Sequence, residues 1–161
     1  MIQQSFKAQA SGVLLSLILL SCTSSAQLSR FPGLEKRVQD YYAAEKAKDW
    51  GAAYEFRHKK FKSTVMKDRF LSQMSRDGEG WNLVGYQIKS VSEKGGKVTL
   101  DVIFTETPPP NYLSGHIPKG TKVDELEFED ESIWLLEDNI WYAYSPGERG
   151  HLSLNSPIAV Q

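Results

Sequence analysis

One cysteine among 161 residues leaves no partner for an internal disulfide. The fold must therefore rest on an apolar core, and a chain of this length can bury one as a single domain. Charge of one sign is lacking too. Lys and Arg number 19 against 20 Asp and Glu, a net charge of -1, so there is no basic footprint for nucleic acid. His116 and His151 have no ligand partner at metal spacing, and neither an EF-hand loop nor a Gly-rich nucleotide-binding loop occurs. No metal and no cofactor is expected. There is no internal repeat, and no apolar run reaches the roughly 20 residues of a membrane-spanning helix.

What is present begins with a targeting pattern. Residues 1–12 are polar with one positive charge, Lys7, and residues 13–20 (VLLSLILL) are almost wholly apolar. That run is too short to cross a bilayer and has the size of a signal-peptide h-region. Leu19-Leu20-Ser21-Cys22 follows directly and resembles the lipobox of bacterial lipoproteins. The resemblance implies that Cys22 is acylated and becomes the mature N-terminus, with several acyl chains for stable anchoring. Thr23, where an Asp would signal inner-membrane retention, implies an outer-membrane protein facing the periplasm. The alternative is cleavage after the A-x-A-like Ser24-Ser25-Ala26, leaving a soluble periplasmic chain from Gln27. The expected organisation is a signal peptide at 1–21, a small polar tether at 22–30, a folded domain at 31–146 and a loose tail at 147–161.

Within the domain, Leu34, Val38, Tyr41 and Tyr42 share one helical face, and that helix runs from about Pro32 to Lys48. Asp49 can cap a second helix carrying Ala53, Tyr54, Phe56 and Phe61. Ser63 or Thr64 can cap a third, with Met66, Phe70 and Met74 at four-residue spacing. From Trp81 the period changes to two. Val84, Tyr86 and Ile88 alternate with polar residues, and Gly95-Gly96 predicts a hairpin into Val98, Leu100, Val102 and Phe104. Residues 107–122, with four prolines, read as a long excursion. Two further strands follow, joined at Glu137-Asp138-Asn139. The order predicts an α+β domain: three N-terminal helices packed on a curved four-stranded antiparallel sheet.

That order resembles the NTF2-like superfamily, the cone-shaped fold shared with ketosteroid isomerase and polyketide cyclases. Residues 41–50 (YYAAEKAKDW) look like the family's first helix and its break, Ala53-Tyr54 like a common pair, and Trp134 through Tyr142 like the closing hairpin. The resemblance implies a cone cavity walled by Tyr54, Tyr86, Trp134 and Tyr142, which would bind a small apolar ligand. A partner protein of the envelope is the other expected occupant. It also implies two alternatives: a ketosteroid-isomerase-like or cyclase-like enzyme, or an accessory domain in cell-wall assembly.

An enzyme needs an inward acid or base. The face of Phe104 continues to Glu106 and that of Phe128 to Asp130, so these are the candidate carboxylates; the bland reading puts both in water beyond the core. His58, bordering the apolar face of the second helix, is a candidate base or simply closes a core rim. The acidic stretch 124–131 reads as a solvated strand face, and Arg57-His58-Lys59-Lys60-Phe61-Lys62 as a solvated helix end that can touch anionic headgroups. Trp141, opposite in phase to Tyr142, is expected to be exposed and to mark a homodimer or partner surface. The expectation is a non-catalytic, membrane-anchored binding protein.

Overall fold

A computed structural model describes residues 26–110, 112 and 124–146. The signal segment, Cys22, His116, His151, the tail and most of the 107–122 excursion lie outside the described residues. Helical backbone at residues 26–28 precedes four helices, α1 (Leu34–Lys46), α2 (Trp50–Glu55), α3 (Lys59–Lys62) and α4 (Lys67–Asp77). Four strands follow, β1 (Asn82–Lys94), β2 (Lys97–Thr107), β3 (Leu126–Glu137) and β4 (Ile140–Pro146). They form one open antiparallel meander, in the order β1-β2-β3-β4. The α+β class stands, while the expected count of three helices is corrected.

Asp49 caps α2, its Oδ1 accepting the Ala52 N–H at 2.9 Å. The second expected helix is broken after Phe56. There the chain turns to extended backbone at His58 and pairs with β4: the His58 N–H donates to the Ala143 carbonyl at 3.0 Å and the Ala143 N–H to that of Phe56 at 2.9 Å. Ser63 and Thr64 cap nothing ahead of them. Their hydroxyls donate backward, Ser63 to the Lys60 carbonyl and Thr64 to that of Phe61, at the end of α3. α4 then starts behind Met66, which is 75% exposed rather than packed.

Both hairpins use two-residue turns with positive φ. Gly95 and Gly96 serve the first at 61° and 74°, Asp138 and Asn139 the second at 49° and 64°; such turns match the twist of the strands, and these residue types tolerate the left-handed region. Directly opposed residues share a face. The inner face therefore carries Leu83, Tyr86 and Ile88 of β1, Val98 through Glu106 in alternation on β2, and Phe128, Asp130, Ser132 and Trp134 of β3. Irregularities after Leu83 and after Ile88 each insert one residue into β1. The first turns Val84 out to solvent and brings Leu83 in, correcting the expected phase.

The core joins this face to α1, α2 and α4 through Leu34, Val38, Tyr41, Tyr42, Trp50, Ala53, Tyr54 and Phe70. Burying each large apolar side chain is worth about 1.5–3 kcal/mol. Trp141 is also buried: its ring meets Phe31 edge-on at 6.1 Å, and its Nε1–H donates to the Pro32 carbonyl at 3.0 Å. The expected exposure of Trp141 is corrected by β4 running in the opposite phase. Within the stretch expected as a tether, Leu28 belongs to the core and residues 26–28 have helical backbone.

Candidate functional site

A polar constellation lies where α3 meets the β3–β4 hairpin. Pairing with β4 sends the neighbours Arg57 and His58 to opposite sides. Both are buried, so the first two residues of the basic run depart from the solvated helix end expected, while Lys59 and Lys60 are exposed. Arg57 points inward, its guanidinium 3.8 Å from the centre of the Phe61 ring, and its Nε finds no acceptor among the described residues.

His58 lies against Tyr142 and Tyr144, ring centres 6.1 and 5.9 Å away. Its Nδ1 accepts the Lys60 N–H at 3.2 Å, capping α3. Its Nε2 stands 3.4 Å from Glu137 Oε2, while Lys59 holds the other carboxylate oxygen. Loss of hydration pushes the imidazole below its ordinary value, and Glu137 opposes that shift. Lys59 holds the Glu137 carboxyl below the usual range. The neutral ring thus accepts at one nitrogen and faces a carboxylate at the other, which leaves no lone pair for a substrate proton. The arrangement cross-links a helix cap, a hairpin and a strand edge. Sequence reasoning missed Glu137, 79 positions away (137 minus 58).

The two carboxylates fare differently. Glu106 is 0% exposed, on the inner face between Leu83 and Leu126. It does not lie in water past the core. Asp130 is half-buried beside an open depression of about 590 Å³, shared with Lys89, Ser90, Asp101, Glu129 and Glu131. Burial pushes the Asp130 carboxyl up, and the Glu131 N–H that it accepts pulls against this. Lys89 bridges to Glu129 at 2.9 Å, and Ser90 donates to Asp101. Among the described residues no group of three or more His, Cys, Asp or Glu could hold a metal ion.

The four expected pocket aromatics are not brought together. Tyr54 sits among Phe61 and Phe70, its hydroxyl donating to the Val65 carbonyl at 2.7 Å. Tyr86 packs on Tyr42 at 4.5 Å, and Trp134 meets Tyr41 at 5.9 Å. Tyr142 is on the outer side with His58. The first three are in contact with other rings and build core. A feature the sequence did not reveal is the buried pair on α1, where the Tyr41 hydroxyl donates to Glu45; burial first, then Glu45, pushes that phenol well up.

No helix among the described residues is long and apolar enough to cross a membrane. No protein-family model matches the chain, and no curated protein matches it. The solution structure of RPA3114, a SEC-C motif containing protein from Rhodopseudomonas palustris, is similar at a TM-score of 0.46 and 20% identity, over 66% of this chain and 70% of that one. The resemblance to the NTF2-like superfamily is corrected: no family model matches the chain. The residues that carried it have plainer roles, with Tyr41, Tyr42 and Trp134 filling the core and Trp141 and Tyr142 pointing to opposite faces.

Proposed function

We propose that the chain is an exported, lipid-anchored protein of the bacterial envelope that works by holding a partner protein. The observation that carries this reading is Leu19-Leu20-Ser21-Cys22 directly behind the apolar run of residues 13–20. An acylated Cys22 gives the lone cysteine its use, and Thr23 beside it favours the outer membrane. Binding is preferred to turnover because both nitrogens of His58 serve the fold. A partner is preferred to a small apolar ligand because Tyr54, Tyr86 and Trp134, expected to wall a cavity, are each packed against other core rings instead.

The test is the intact mass of the protein extracted from membranes, beside a Cys22→Ala variant. The expected result is a lipid-sized addition at Cys22, absent in the variant. A free periplasmic chain starting at Gln27 would remove the anchor, and an uncleaved chain in the cytoplasm would overturn the reading.

A further inference from the structure

An anchor at Cys22 would leave the domain almost no slack. From Cys22 to Ala26, where described structure begins, the chain can extend at most about 14 Å. That is about the radius of gyration of a domain this size, so the anchor point fixes which face meets the lipid. Leu28 is in the core, and Phe31 and Pro32 are pinned to Trp141. Trp141 opposes Leu136 in the β3–β4 register and follows Ile140. The chain five residues beyond Ala26 therefore packs against this hairpin. The hairpin carries two of the exposed large apolar side chains of the described region, Leu136 at 50% and Ile140 at 45%.

The same end of the sheet holds the β1–β2 turn, since Lys97 opposes Leu135. Exposed cations cluster there: Lys94 and Lys97 on that turn, Lys59 and Lys60 beside the hairpin, Arg30 next to Phe31. They outnumber the local carboxylates Glu93, Glu137 and Asp138, and Glu137 is already held by Lys59. Two apolar tips within a net-positive rim suit a bilayer with anionic headgroups.

From this juxtaposition, and resting on the proposed anchor, we infer that the β3–β4 hairpin is a membrane-contact surface: Leu136 and Ile140 enter the headgroup region of the anchoring membrane while the flanking lysines face its phosphates. The domain then stands with its sheet on end, and the Asn82 end of β1, about 40 Å of strand away, points into the aqueous space.

The lone cysteine makes the test direct, because acylation blocks Cys22 and an added cysteine is unique. Nitroxide labels are placed at Ile140→Cys or Asn82→Cys, both exposed, in the full acylated chain on phosphatidylethanolamine–phosphatidylglycerol vesicles. Label accessibility to oxygen and to a water-soluble nickel complex is then read by electron paramagnetic resonance. At position 140 the oxygen-to-nickel ratio is expected to rise several-fold over position 82, and Lys94→Glu with Lys97→Glu to reduce that rise. Equal, water-like ratios at both labels on a chain whose mass proves acylation would overturn this inference alone. A chain that carries no lipid at Cys22 would overturn it together with the anchor.

Discussion

On the inner face of the sheet, Trp134, Tyr41, Tyr42 and Phe104 meet edge to face at 5.1 to 5.9 Å, and the polar atoms among them are few. Trp134 Nε1–H donates to Ser132 Oγ at 2.8 Å and Tyr41 to Glu45. At the β4 edge the contacts are of another kind: a buried imidazole, one backbone bridge and a carboxylate shared between His58 and Lys59. The packing of these rings rests on buried area, which hardly depends on pH. The edge rests on a protonation state. Damage should therefore be large and insensitive to pH in the first region, smaller and conditional in the second.

The largest effect belongs to Trp134→Ala. Trp134 is 0% exposed, and truncating a fully buried Trp costs about 3–5 kcal/mol. Urea unfolding followed by circular dichroism should show that loss as a lowered midpoint with unchanged slope, equally at pH 7 and pH 5. A cost under about 1 kcal/mol would mean that Trp134 is not the keystone of this face.

His58 supplies the contrast. Burial favours its neutral form in the folded protein, so its folded value lies below the ordinary 6.5. The stabilising contribution is complete above 6.5 and is lost as the pH falls toward the folded value, because the unfolded chain takes up the proton first. His58→Gln keeps an acceptor for the Lys60 N–H and a donor for Glu137 but cannot titrate. Wild type should therefore lose more stability than His58→Gln between pH 7 and pH 5, at no more than about 1.4 kcal/mol per unit of displaced pKa. Parallel losses in the two proteins would abolish the distinction between edge and core.

Asp49→Ala tests a contact that was plain from the sequence. Removing an N-cap costs about 1 kcal/mol, readable in the same unfolding experiment. An unchanged midpoint would show that the packing of Trp50 holds α2 without the cap.

That cap was legible because a carboxylate followed by an apolar helical face is a local signal. The strands were legible for the same reason, and two-residue alternation along β2 placed Glu106 on the face of Phe104. What escaped was decided at a distance. The break at Phe56 arises from pairing with Ala143, far along the chain. The inserted residues in β1 leave every side chain chemically plausible in either phase. In β4 both phases carry aromatics, Trp141 in one and Tyr142 with Tyr144 in the other, so composition did not choose; the contacts of Trp141 with Phe31 and Pro32 did. The hydroxyls of Ser63 and Thr64 suit either end of a helix, and the chain used them at the end of α3.

The smallest effect is expected at Glu55, which holds Lys62 at 2.9 Å and Lys67 at 2.7 Å across the outer side of α2. Hydrogen bonds from Lys67 and then Lys62 draw its carboxyl down to about 2 from the ordinary 4.5. A lowered folded value means a contribution present above 4.5 and lost as the pH falls toward about 2. Yet the carboxylate is more than half exposed, and water and salt screen such a pair. Glu55→Gln should therefore shift stability at pH 7 by no more than about 0.5 kcal/mol. The difference from wild type should also shrink further in high salt. A loss of 2 kcal/mol or more would place this surface network on the same footing as the inner face.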